Sequence, residues 1–325
     1  MHEPDIVVTG AGGFIGGHLV RRLIADGRTV RAVDSKPLEE WQQMHPDAEN
    51  RRTDVSLLDD ARAAVSGVST VFALAADMGG MGFIETHKAA CMLSVLTSTN
   101  TMLAARDEGV ERYFFASSAC VYAGGRQNRP DVEPLKESAA YPADPEDGYG
   151  WEKLFTERMC RHFHDDFGFA SRVGRYHNVY GPFGTWNGGR EKAPAAVCRK
   201  VAEAVRSGDH IIDIWGDGEQ TRSFTYIDDC IDGTLLVTGG SDPAPVNIGS
   251  SETVTINELV GIVEGIAGVE LERRYDLTAP QGVRGRSSDN TEVLARYGWE
   301  PTIALRDGIA QTYEWLSAQI DKRDR

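Results

Sequence analysis

Three glycines at three-residue spacing, Gly10, Gly13 and Gly16, punctuate the stretch "IVVTGAGGFIGGHLVRRLIADG" near the start of the chain. The apolar run before Gly10 reads as a buried strand. From Phe14 onward apolar residues recur at helical spacing until Gly27 stops them. Glycines at such a strand-to-helix turn narrow what the chain can become. The first two permit a tight turn and close backbone approach to a pyrophosphate, and the third lets the helix pack tightly on the sheet. The helix then opens toward the phosphates with unpaired N–H groups, Phe14 and Ile15 lying in its first turn. A lone glycine motif is weak; its strand–turn–helix setting gives this one weight.

The pattern continues with strands at "TVRAVD", "TVFALAA", "RYFFASSA" and "ASRVGRY", and helices near 88–107 and over "GYGWEKLFTERMCRHFHDDFG". Alternating strands and helices predict a Rossmann-type, doubly wound parallel sheet. After about Asn178 the chain turns to "NVYGPFGTWNGGREKAP", rich in Gly, Pro and aromatics, as a substrate-facing loop is. The expected division is a dinucleotide-binding domain over 1–178 and a smaller α/β substrate domain over 179–325, with part of about 224–248 returning to the first. Asp34 closes the second strand where a ribose-binding carboxylate is expected. It repels a 2′-phosphate, so the expected cofactor is NAD, a preference that Ser35 and Lys36 soften. Asp54, in "RRTDV", reads equally as a contact for the adenine edge or a solvated loop acid.

A formal net charge of -15 over 325 residues argues against a nonspecific nucleic-acid surface, so an anionic substrate needs a local basic pocket. The five cysteines form no C-x-x-C pair, which suggests neither a zinc site nor a redox dithiol and fits reduced thiols in a cytoplasm. The N-terminus enters a strand without a signal-peptide pattern, and no apolar run approaches a membrane span. His162 and His164, at i and i+2 on a helix, point apart, and no metal is expected there.

Tyr149 and Lys153 form Y-x-x-x-K and share a helix face. A free phenol titrates near about 10, and a nearby ammonium is expected to lower that value. Ser118 can hold the same substrate hydroxyl. Two residues later stands Cys120, in "SSACVY", where similar chains usually carry Thr or Ser; a buried free Cys is commonly only a small hydrophobe.

Together these motifs resemble the extended short-chain dehydrogenase/reductases of the nucleotide-sugar branch, and more narrowly the GDP-mannose 3,5-epimerase family. The runs "VTGAGGFIG", "LAADMGGMGFI", "SSACVY", "YGWEKL", "GRYHNVYGPFGTWNGGREKAPAAVCRK", "WGDGEQTRSFTYIDDC", "PVNIGS" and "VRGRSSDN" carry the likeness over nearly the whole chain. The resemblance implies tightly held NAD, a GDP-hexose substrate and a homodimer through the helices containing Thr97–Ala105 and Trp151–Phe163. It implies that Cys120 and Lys192 form an acid/base pair at carbon. It places Gly79, Asn178, Glu191, Ala193 and Lys200 along the substrate, and Gln220, Arg222 and either Arg284 or Arg286 on the diphosphate; forked guanidinium bonds suit that task. Lys192 also reads as a phosphate contact. Ser94 stands where many relatives carry Asn, and "YAGGRQN" replaces a more usual "YP" turn. The implied reaction is epimerisation of GDP-mannose at C3 and/or C5 through a 4-ketone, giving GDP-L-galactose and/or GDP-L-gulose. The alternatives are another NDP-sugar 4-epimerase, such as one acting on UDP-glucuronate, and a non-catalytic NAD-binding scaffold.

Overall fold

A computed structural model describes residues 3–279 and 282–324. The first half alternates strands and helices: β1 (Ile6–Thr9), α1 (Phe14–Ala25), β2 (Val30–Asp34), β3 (Glu49–Arg52), α2 (Leu58–Val65), β4 (Thr70–Ala73), α3 (Met81–Thr86), α4 (Lys88–Asp107), β5 (Arg112–Ser118), α5 (Tyr149–Phe167) and β6 (Ser171–Tyr176). The remainder runs β7 (Val179–Tyr180), α6 (Ala193–Ser207), β8 (Ile211–Trp215), β9 (Thr221–Ser223), β10 (Thr225–Tyr226), α7 (Ile227–Gly239), β11 (Val246–Ile248), β12 (Thr253–Thr255), α8 (Ile256–Ala267), β13 (Glu272–Asp276), β14 (Gly285–Arg286), α9 (Thr291–Tyr297) and α10 (Leu305–Arg323).

Seven parallel strands form the central sheet in the order β11-β6-β5-β4-β1-β2-β3. Side chains alternate across it. Val8, Phe72 and Phe114 enter one core, whereas Val7, Val71, Tyr113 and Phe115 enter the other. Both faces are covered, which is why these strands read as continuous apolar runs. The edge strand β3 departs from that pattern. Its sequence "ENRR" is polar and gave no strand signal; it pairs with β2 while Arg31 bridges to Glu49 at 2.9 Å.

After β6 the chain forms smaller units. β8 pairs with β13, and β9 lies between β12 and β14. Amphipathic α6 packs on α8 and α10. The helix α8 opens on a capping box, in which the Thr255 hydroxyl accepts from Glu258 N–H and the Glu258 carboxylate accepts from Thr255 N–H. α7 packs on α1, and β11 joins the central sheet beside β6. No helix among the described residues is long and apolar enough to cross a membrane.

Candidate active site

The strand order turns between β1 and β4, opening a crevice at the carboxyl ends of the strands. Gly10 turns there with φ of +73°, and a Cβ on it would stand 2.9 Å from Ala75 N. A Cβ on Gly16 would collide with Gly10 O. Gly13 is the N-cap of α1, whose first-turn amides have no intrahelical acceptor. At the end of β2, the Asp34 carboxylate accepts from Gly12 N–H and Lys36 N–H, each at 3.1 Å. This fixes it beside the glycine turn with lone pairs remaining for a ribose. Asp54 accepts from Ser56 N–H at 3.0 Å and also lines the crevice, so it is both a turn residue and a wall residue. Gly10, Gly13, Phe14, Ile15, Gly16, Asp34 and Lys153 all border this cleft of about 970 Å³. A backbone turn that only glycine fits, an open helix end and an anchored ribose-side carboxylate together suit NAD.

A second cleft, of about 340 Å³, lies under the C-terminal units. Its wall includes Gly79, Ser118, Cys120, Asn178, Glu191, Lys192, Ala193, Lys200, Gln220, Arg222 and Arg286. Ser118, Tyr149 and Lys192 border both clefts; Lys153 borders only the first and Cys120 only the second. Tyr149 and Ser118 thus stand where a cofactor ring and a sugar can meet, with Cys120 on the sugar's side.

Local structure explains each placement. Ser118 ends β5, and its Oγ accepts from Cys120 N–H at 3.2 Å, capping the single helical turn of residues 119–121 that carries the thiol. Gly148, with φ of +89°, starts α5 and thereby Tyr149. The next residue, Gly150, lies so close to Cys120 O that a Cβ would collide with it. Lys192 is the N-cap of α6. Its loop is tied down across the cleft: Gly80 N–H donates to Arg190 O at 3.0 Å, and Arg190 Nη1 donates to Asp77 Oδ1 at 2.7 Å. Glu191 accepts from Gly189 N–H and bridges to Arg199 at 3.1 Å, so its carboxylate braces this loop. Ser94 supports the strand end from below, its Oγ accepting from Asp77 N–H at 2.9 Å.

The electrostatics differ from expectation at Tyr149. Burial pushes its phenol well above the ordinary range, and Cys120 and Glu152 add to the rise. The expected depression by Lys153 does not outweigh that burial; its ammonium lies 3.3 Å from Glu152 and over the Phe115 ring. Burial pushes the Cys120 thiol up to about 11, Glu146 adding to the rise and Arg286 opposing it. Burial also pushes the Lys192 ammonium down.

The two candidate diphosphate arginines separate. Arg286 is buried in the cleft wall, donating to Gln127 Oε1 at 2.6 Å and to Cys120 Sγ at 3.7 Å. Arg284 lies outside that wall and forms an ion pair with Asp217 at 2.9 Å. Arg222 is drawn down to about 9 by burial and by its neighbours Arg286 and Arg284, a concentration of positive charge on the wall of the second cleft. Lys200 donates to Asp213 O at 2.6 Å, and Asn178 donates to Ser223 O at 2.9 Å with φ of +42°. Phe183 packs on Trp315, and Trp186 packs into the core beneath Arg323, so both close the loop rather than line a cleft. His162 bonds Arg158 while His164 bonds Phe169 O, in separate surroundings.

Reading the sequence missed Asp77, Arg190 and Glu146. The first two join across 113 residues, a contact no local pattern encodes. Glu146 stands three residues before Tyr149 in a loop, with only that proximity to mark it.

The sequence profile of the NAD dependent epimerase/dehydratase family matches residues 6–249. The chain is 49% identical to GDP-mannose 3,5-epimerase 1 of Oryza sativa subsp. japonica over 98% of its own length and 82% of that protein. It is 46% identical to GDP-mannose 3,5-epimerase of Arabidopsis thaliana, over 98% and 83% respectively. Among solved structures it is similar to the UDP-glucose 4-epimerase of Thermotoga maritima bound to UDP-glucose, with a TM-score of 0.87 and 27% identity over 97% of this chain and 99% of that one. It is also similar to MoeE5 in complex with UDP-glucuronic acid and NAD, with a TM-score of 0.80 and 29% identity over 99% and 100%. Glycine turn, Tyr149–Lys153 pair and full-length likeness converge: the chain belongs to the NAD dependent epimerase/dehydratase family, and within it to the GDP-mannose 3,5-epimerases.

Proposed function

We propose that the protein inverts GDP-mannose at C3 and/or C5 through a 4-keto intermediate, giving GDP-L-galactose and/or GDP-L-gulose. The observation that carries this reading is the shared wall. Ser118, Tyr149 and Lys192 border both clefts, and the sugar's side adds Cys120. NAD, when bound, supplies a reversible hydride acceptor for C4. Tyr149 takes the proton of the 4-hydroxyl, and Ser118 holds that oxygen. The ketone acidifies the hydrogens at C3 and C5, since each carbanion is an enolate. Inversion then needs protons removed from one face and delivered to the other, and Cys120 and Lys192 are the pair for that exchange. Arg222, Arg286 and Gln220 receive the diphosphate, while Gly79, Asn178, Glu191, Ala193 and Lys200 border the rest of the nucleotide sugar. A 4-epimerase needs the Tyr149–Ser118 chemistry alone and leaves this pair without a task.

The reading includes a dinucleotide-binding unit over 1–178, with α7 and β11 rejoining it, and a substrate unit over the rest. It also includes a reducing, cytoplasmic setting for five buried free thiols. A homodimer is supported by α4 and α5, which pack together and leave Met92, Trp151 and Phe155 exposed.

The test is incubation with GDP-mannose in deuterium oxide, with NMR of the recovered sugar nucleotides. Deuterium at C3 or C5 and new epimers support the proposal. Turnover of UDP-glucuronate at C4 without carbon-bound deuterium would replace it.

A further inference from the structure

Glu146 is a buried carboxylate that the chemistry above does not use. Neither Oε1 nor Oε2 is exposed, and the polar side chain that the carboxyl meets is the Cys120 thiol. An ion in that position is costly to the fold unless something else requires it. Its backbone is fixed against the thiol residue: Glu146 N–H donates to Cys120 O at 3.0 Å, and Trp151 N–H donates to Glu146 O at 3.3 Å. Gly150 fits between the two, close to both Cys120 O and the Glu146 Cβ. The Glu146 side chain is not part of either cleft wall, so it meets no substrate directly.

Its charge falls on the catalytic constellation. Glu146 favours the protonated forms of Cys120, Tyr149 and Lys192, and reaches Cys91 and Lys88 on α4. The opposing charges at Cys120 come from Arg286 on β14, which donates to Sγ at 3.7 Å, and Ser118 on β5 also opposes the rise. The remaining neighbours are Tyr149 on α5, Lys192 at the start of α6 and Arg222 on β9.

We propose that Glu146 is a positioning residue for Cys120: its buried carboxyl engages the thiol, the Arg286 guanidinium donates to the same sulfur, and this balance sets how readily Cys120 gives or takes a proton at carbon. The inference rests on the reading of Cys120 as half of the carbon acid/base pair. In low-dielectric surroundings a buried carboxyl acts on its neighbours with little screening. It adds to the burial that already raises the thiol, and Arg286 works against it. When a diphosphate engages Arg286, the opposing charge is partly spent and the thiol binds its proton more firmly.

The experiment measures alkylation of the Cys120-containing peptide by iodoacetamide against pH in the NAD-loaded enzyme, which needs no turnover. Glu146→Gln removes the charge and keeps the shape. Its alkylation midpoint is expected to fall by about one pH unit or more, while Glu146→Asp restores much of the wild-type value. In steady-state kinetics with GDP-mannose, kcat changes, KM holds, and the limb of the pH profile that Cys120 carries moves to lower pH. A midpoint unchanged in folded Glu146→Gln overturns the proposal. Should that variant fail to fold, Glu146→Asp decides, since it draws the carboxyl back by one methylene and keeps the thiol's burial: a midpoint below the wild-type value supports the proposal, and an unchanged one overturns it. Failure of Cys120→Ala to affect inversion would instead remove the reading beneath the inference, whatever the alkylation shows.

Discussion

The Lys153 ammonium stands 5.5 Å from the centre of the Tyr149 ring. The same ammonium lies 3.3 Å from Glu152. Tyr149 is thus the group at the junction of the clefts, and Lys153 supports it from the cofactor's side. Tyr149→Phe is expected to lower kcat by a factor on the order of 10²–10⁴. Nicotinamide absorbance should show no transient reduction when GDP-mannose is added.

Cys120→Ala divides the reaction differently. Ser118, Tyr149 and Lys153 remain, so reduced nicotinamide still forms on mixing with GDP-mannose. Net inversion at C3 and C5 should be lost, read by NMR as the absence of new epimers. Lys192→Ala should block inversion too, with exchange at one carbon surviving only where Cys120 alone moves a proton.

Arg286 and Arg284 give a paired prediction. Arg286→Met takes a buried cation from the cleft wall and should weaken GDP binding about tenfold or more, as measured by titration calorimetry. Arg284→Met breaks a half-exposed ion pair with Asp217 and should leave GDP affinity nearly unchanged.

His177 predicts acid lability. Burial holds its imidazole down to about 3, with Nε2 at 2.9 Å from Asn247 Oδ1. A depressed histidine contributes stability above its unfolded value of 6.5, and loses it as pH falls toward the folded value. Moving from neutrality to pH about 5 should cost about 2 kcal/mol from this residue, seen as a lower urea midpoint. His177→Asn should be less stable at neutral pH but show a flatter pH dependence.

Phe155→Glu places a charge on an exposed apolar position of α5. Sedimentation at micromolar concentration should show a dimer for the wild-type chain and a monomer for this variant.

The role expected of Cys120 in "SSAC" came from the family resemblance alone, whereas the glycine turn and the shared helix face of Tyr149 and Lys153 were legible because each is local, set by spacing along one element. The edge strand β3 was not: "ENRR" is a strand because β2 offers it hydrogen bonds, and its charges are matched by Arg31. The choice between Arg284 and Arg286 was equally closed to inspection, since two arginines flanking one glycine differ only in what each meets in the fold. Asp217 claims one, and the cleft takes the other. The depressed phenol expected of Tyr149 is outweighed for a related reason: a motif names an ammonium nearby but not the burial of the phenol, nor Cys120 and Glu152 beside it.

Gly150 has a consequence for the product. With no room between its Cα and Cys120 O, the start of α5 and the thiol-bearing turn cannot slide past each other. Tyr149 and Cys120, the groups proposed to work at C4 and at its neighbours, therefore sit on backbone segments in direct contact. On the proposed chemistry at two ring carbons, such a close mount leaves the change of presentation to the sugar, whose pucker brings first one hydrogen and then the other within reach. The proportion of singly to doubly inverted product then becomes a race between ring flipping and return of the hydride, and replacing Gly150 by alanine would alter the timing of that race by loosening the mount.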